Sequence, residues 1–234
     1  MPEETRNTAA SSSTPAPAPV SRGRIFLRRL VSSVILWTIV LLAMFSTNSL
    51  VKNYFFLAIM VVLAGAGLIE FYDLARRIGL PCYKGWGIFG GILLMVATFL
   101  YISPLFPVAV SPAEANDFET SFLILFVLGL CVRQFVSKHN PEAITAIATT
   151  LFGLMYVPWL LNFIQKINFY PDATAEGRFY VLYFILVTKF SDLGAYVSGS
   201  LFGKHKMIPR ISPGKTWEGF AGAIVISTLV SIAY

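Results

Sequence analysis

The sequence predicts an all-α fold, a polytopic integral membrane helical bundle, and three observations predict it. Hydrophobic residues make up 56% of the 234-residue chain, charged residues only 13%, and the mean hydropathy is +0.70. A soluble globular protein carries roughly a quarter charged residues, so too few are present to coat a water-facing surface. The apolar residues gather in runs close to the roughly 20 that a helix needs to cross the hydrocarbon core, and the cations lie in short clusters between them. Disordered, collagen-like and disulfide-scaffold classes are excluded by 20 Phe, 10 Tyr and only 2 Cys. Cys82 and Cys131 stand apart without Cys/His spacing, which argues against a zinc site. The net charge of +6 does not point to nucleic acid, because the clusters sit where the positive-inside rule puts them.

Residues 1–21 read as a disordered cytoplasmic tail, because SSSTPAPAPVS alternates Pro and Ala and has nothing to bury. Residues 22–234 form the membrane domain. Arg22, Arg24, Arg28 and Arg29 precede an apolar run, as in a signal peptide, but no A-x-A cleavage site follows. A retained first helix over 31–51 is therefore expected. Runs at 54–72, 86–106, 120–137, 143–164 and 178–201 bring the count to six complete spans. The seventh, at 217–234, looks truncated. From Phe220 to Tyr234 it offers about 22 Å of helix against a core of about 30 Å.

Orientation follows from the Lys and Arg residues. With the N-terminus inside, the inner segments hold Arg6, Arg22, Arg24, Arg28, Arg29, Arg76, Arg77, Lys84, Arg133, Lys138, Lys204, Lys206, Arg210 and Lys215. The outer loops hold only Lys52, Lys166 and Arg178, and the loop Pro107–Glu119 is acidic. That imbalance makes the N-terminus cytoplasmic.

Away from the ends of the runs, charge appears only in the sixth helix, where Lys189 and Asp192 share a face at spacing i, i+3. An ionisable residue at that depth is costly and marks a functional site unless it is paired; a Lys189–Asp192 pair that neutralises itself is the structural alternative. Gly194, Gly199 and Gly203, with Ala195 and Ser198, read as close helix packing. The cytoplasmic site loop 202–218 comes next, with Lys204, His205, Lys206, Arg210 and Lys215. Cations there suit anionic head groups or nucleotide phosphates. Gly214-Lys215-Thr216 reproduces the end of a Walker loop, but the required first glycine falls on Pro209 and no strand precedes it. The residue types still serve phosphate: Lys215 as a point charge, Gly214 as open backbone, Ser212 and Thr216 as hydroxyls. Glu218 joins Asp192 as a candidate ligand of a divalent cation, since hard cations take carboxylate oxygens.

The stretch SDLGAYVSGSLFGKHKMIPRISPGKTWEG resembles the segment D-x-G-A-Y-x-x-G-x-x-x-G-K-x-K…S-P-x-K-T-x-E-G of bacterial phosphatidate cytidylyltransferases, the CDP-diglyceride synthases. The likeness is dense over about residues 188–223 and otherwise limited to the hydrophobic layout and Glu70 with Phe71. It implies transfer of CMP from CTP to phosphatidate in the bilayer, giving CDP-diacylglycerol and pyrophosphate with Mg²⁺, at a bacterial inner (cytoplasmic) membrane. It implies a metal at Asp192, with Glu218 as the second candidate, and Asp192, Lys215 and Glu218 as catalytic residues. Ser212, Gly214, Thr216, Lys204 and Arg210 are the expected substrate-binding residues. A homodimer is compatible with it. Members of the family carry a further C-terminal signature, S-x-x-K-R-x-x-x-x-K-D…P-G-H-G-G-x-x-D-R-x-D, which this chain lacks; a truncated chain is the matching expectation. Two other functions are open: a CTP-dependent polyprenol or phytol kinase, and an ion-coupled transporter using Lys189 and Asp192. The absence of an internal repeat speaks against the transporter.

Overall fold

A computed structural model describes residues 48–103, 111–136, 142–170 and 176–234, with isolated positions between 31 and 46. The chain divides into two units, Met1–Ser46 and Thr47–Tyr234. The expected tail 1–21 and most of the expected first span 31–51 lie outside the described residues.

The elements of the second unit are α1 (Ser49–Arg77), α2 (Lys84–Ile102), α3 (Pro112–Val136), α4 (Ala143–Leu154), a π-helical turn (Met155–Trp159), α5 (Leu160–Asn168), α6 (Gly177–Phe202), β1 (Lys206–Ile208), β2 (Ser212–Thr216) and α7 (Trp217–Ala233). Among the described residues five helices are long and apolar enough to cross a membrane, with α4, the π turn and α5 counting as one of 26 residues. The protein is a multi-pass membrane protein. At 17 residues α7 is shorter.

Local sequence explains the boundaries. The Asn48 side chain caps α1, accepting from the amides of Leu50 at 3.0 Å and Val51 at 3.4 Å. This starts the helix at Ser49, five residues before the expected position. It ends at Gly79, whose φ of +81° is the left-handed conformation of a helix C-cap, with the Leu80 amide donating to the Ala75 carbonyl at 2.9 Å. A capping box opens α3: the Ser111 amide donates to Glu114 Oε2 at 2.7 Å and the Glu114 amide to Ser111 Oγ at 3.3 Å. The helix therefore begins at Pro112, about two turns before the expected 120, and Glu119 lies inside it. Pro158 has no N–H to continue the α-helical ladder, and the chain around it widens into the π turn before the helix resumes.

Side-chain contacts fix an up-and-down order. Lys52 at the start of α1 pairs with Glu176 before α6 at 3.9 Å, Lys166 near the end of α5 pairs with Glu119 of α3 at 2.8 Å, and the Tyr234 hydroxyl donates to the Phe179 carbonyl at 2.9 Å. At the opposite end Asp73 of α1 pairs with Lys84 of α2, and the Arg133 guanidinium lies 5.0 Å from the Tyr83 ring centre. The three expected outer cations thus share one end, while Arg76, Arg77, Lys84, Arg133 and the cations after α6 share the other. Two apolar clusters hold α1 to α5 together: Phe56, Met60 and Ala64 with Met95, and Leu94 with Phe126, Leu130 and Leu154.

One feature departs from an all-α fold. The expected loop 202–218 is largely a two-stranded antiparallel ribbon, with Lys206 opposite Thr216 and Ile208 opposite Ser212. Its turn closes with the Ile211 amide on the Ile208 carbonyl at 3.2 Å, and Pro209 presets the φ that the first inner turn position needs. The second strand tolerates Pro213 because, among the described residues, no third strand asks for its missing donor.

Candidate functional site

The ribbon and the two helices it joins form one hairpin. Helices α6 and α7 pack through small residues: a Cβ placed on Gly222 would fall 2.0 Å from Ser198 Oγ, and one on Gly194 2.7 Å from the Gly222 carbonyl oxygen. This is the close approach expected of the glycines, and it extends to Gly203, whose added Cβ would meet Thr216 Oγ1 at 2.9 Å.

Thr216 is buried, at 5% exposure, and its Oγ1 accepts from the Gly219 amide at 3.1 Å as the N-cap of α7. The expected substrate-binding hydroxyl is therefore a capping group wedged against Gly203. Glu218 is also engaged. Its Oε1 lies 2.6 Å from His205 Nδ1 and accepts from the His205 amide at 3.2 Å. Hydrogen bonds from its own backbone N–H, then from the His205 ring, hold the carboxyl down at about 2. The Trp217 amide closes the base of the ribbon on the His205 carbonyl at 3.0 Å. Thr216, Glu218 and His205 together tie the ribbon to the end of α7.

The remaining expected residues are open. Lys204, Lys206, Arg210, Gly214 and Lys215 are exposed and Ser212 is partly buried. Among the described residues none of the four cations has an ion-pair partner. A Cβ on Gly214 would meet nothing within 4 Å; neither packing nor a positive φ demands glycine there. On α6, Asp192 and Lys189 are both exposed, and no ion pair joins them, so the self-neutralising pair does not form. Gly199 lies level with Gly219, and Gly194 level with Gly222 and Ile226. That register sets Asp192 about seven residues, roughly 11 Å, from the level of Glu218. Among the described residues no three His, Cys, Asp or Glu gather into a metal cluster. Mg²⁺ is ordinarily held by only one or two carboxylates plus substrate phosphates, and Asp192, an unpartnered carboxylate, fits that donor pattern. Glu218 joins it only by giving up His205.

A groove of about 290 Å³ between α3 and the α4–π segment, lined by Leu123, Ile124, Val127, Leu151 and Met155, is apolar and lacks these groups.

A family model described as the cytidylyltransferase family matches residues 28–234. The chain belongs to the cytidylyltransferase family. It is 28% identical over 182 residues to the phosphatidate cytidylyltransferase of Mycobacterium leprae, covering 74% of this chain and 55% of that protein. The phosphatidate cytidylyltransferase of Staphylococcus aureus is 45% identical over 113 residues, 48% of this chain and 38% of that protein. That of Staphylococcus saprophyticus is 34% identical over 112 residues. The chain spans about half the length of the mycobacterial relative and less of the staphylococcal ones. No solved structure matches it with significance.

Sequence reasoning misses the polar residues buried at the end of the bundle away from the ribbon: Thr98, Glu119, Asn162 and Gln165, each 1% exposed or less. The signals are present in the Ser111-Pro-Ala-Glu114 box, which carries Glu119 into a helix, and in Asn162-x-x-Gln165-Lys166 within an apolar run.

Proposed function

We propose that the protein is a CTP:phosphatidate cytidylyltransferase, forming CDP-diacylglycerol and pyrophosphate at the cytoplasmic face of a bacterial inner membrane, with its N-terminus on that side. The observation that carries the reading is the α6–ribbon–α7 hairpin. It presents one carboxylate, Asp192, and four cations, all without an ion-pair partner among the described residues, on the cation-rich side of the bundle, in a chain of the cytidylyltransferase family.

Both substrates are polyanions. A phosphatidate oxygen attacks the α-phosphorus of CTP; the new P–O bond forms as the bond to the β-phosphate oxygen breaks, and pyrophosphate leaves. Repulsion between the partners is the first barrier. Lys215, Arg210, Lys204 and Lys206 reduce it by binding phosphate oxygens, Lys and Arg giving charge-assisted hydrogen bonds. Gly214 lets phosphate approach the backbone of β2, and Ser212 adds a hydroxyl donor. Asp192 would hold Mg²⁺, which when bound neutralises charge across the phosphates and the leaving group. Glu218 and Thr216 position the ribbon. Phosphatidate keeps its acyl chains in the bilayer while its head group reaches the ribbon.

The test is lipid labelling in detergent with this chain, phosphatidate and Mg²⁺, comparing α-labelled with γ-labelled CTP. Organic-phase counts from the α-label alone are expected. Counts from the γ-label would make the protein a lipid kinase, and silence from both would overturn the reading for this chain.

A further inference from the structure

The buried polar residues between α2, α3 and α5 lie at the end of the bundle opposite the ribbon and take no part in the proposed reaction. Their hydrogen bonds form a chain. Asn162 Nδ2 donates to Thr98 Oγ1 at 3.0 Å, and Gln165 Nε2 donates to Asn162 Oδ1 at 2.9 Å and to the Met95 carbonyl at 3.3 Å. Glu119 Oε2 accepts from Lys166 Nζ at 2.8 Å, and the side chains of Asn162 and Trp159 also face the Glu119 carboxylate. Glu119 is 1% exposed and Gln165 fully buried, and two atoms remain without a partner: Glu119 Oε1 and Gln165 Oε1.

Both orphans are acceptors. Leaving a buried acceptor unsatisfied costs about 1–3 kcal/mol in general, so two flanking the same asparagine call for a donor. Lys166 already balances the charge of Glu119, and its other contacts are Asn116 Oδ1 at 2.9 Å and the face of Phe163. A metal cation added to that neutral pair would carry an uncompensated charge into low dielectric. A neutral molecule with two donor hydrogens and no bulk meets the requirement.

We propose that Glu119, Asn162 and Gln165 enclose a structural water molecule that donates to Glu119 Oε1 and Gln165 Oε1. The water completes the hydrogen bonding of the Glu119–Lys166 pair and locks α3 against α5 from inside the membrane domain.

Water-edited solid-state NMR of the whole chain in lipid bilayers tests this without mutation. Phe118–Glu119 is the only Phe-Glu step and Ile164–Gln165 the only Ile-Gln step in the sequence, so residue-pair labelling isolates both side chains. Polarisation from water is expected to reach the Glu119 carboxyl and Gln165 amide carbons several-fold faster than the side chain of buried Leu68. Transfer no faster than at Leu68 would overturn the proposal. So would a carboxylic-acid shift at Glu119, meaning that a proton satisfies the orphan, or shifts that move when Na⁺ replaces K⁺, meaning a cation site.

Discussion

The α1–α5 bundle and the α6–ribbon–α7 hairpin treat polar residues in opposite ways. In the bundle, Thr98, Asn162, Gln165 and Glu119 are buried and bonded to one another, to backbone or to Lys166. In the hairpin, Asp192, Lys189, Lys204, Lys206, Arg210 and Lys215 are exposed and make no ion pair among the described residues, while the interface is built from glycine, alanine and serine. Polar groups with committed partners hold the fold; those kept without partners, despite the cost of an unpaired charge in or beside a membrane, are the ones the proposed function assigns to a ligand. The hairpin's own Thr216 and Glu218 sharpen the rule, since both sit in the motif and both are committed.

The contrast can be broken at several points. Lys166→Met should have the largest effect, leaving Glu119 as an uncompensated buried charge at a cost of about 3–5 kcal/mol; equilibrium unfolding in detergent reads it. Asp192→Asn should leave that stability unchanged and lower cytidylyl transfer more than about 100-fold, beyond the cost of losing an outer-shell partner. Wild-type turnover by this variant would refute the metal assignment. Gly222→Ala forces a methyl against Ser198 and should cost about 1–3 kcal/mol as overpacking does, whereas Gly214→Ala should stay within about 0.5 kcal/mol while weakening CTP use. A thermal-shift series on the two alanine variants separates packing glycine from ligand glycine.

The smallest effect concerns Glu218. Its carboxyl falls from 4.5 to about 2 in the fold. A depressed value means that its contribution is fully present above pH 4.5 and is lost as the pH falls through 2. The His205 ring resonances should track that loss, and Glu218→Gln should flatten the profile.

Much of the molecule is legible in the sequence, and the reasons differ by region. The described spans and the sharing of ends by Lys52, Lys166 and Arg178 come from apolar run length and charge placement. The start of α3 is harder to place because averaged hydropathy overlooks the Ser111–Glu114 box. The ribbon reads as a loop because S-P-G-K-T has poor strand propensity and pairs only through a Pro-Arg turn. Capping and ligation use the same side chains, so the bonds of Thr216 to the Gly219 amide and of Glu218 to His205 are visible only in the structure. The Glu119–Lys166 pair is out of reach because its members lie 47 positions apart.

The ribbon joins two helices that are neighbours along the chain and pack chiefly on each other. No other helix lies between them in the chain, and their contacts begin beside the ribbon, where Gly203 meets Thr216, a local start that favours rapid assembly. The element that carries Asp192 and Lys215 should therefore form as a unit soon after residue 234 leaves the ribosome and enters the membrane, without waiting for distant helices to find it.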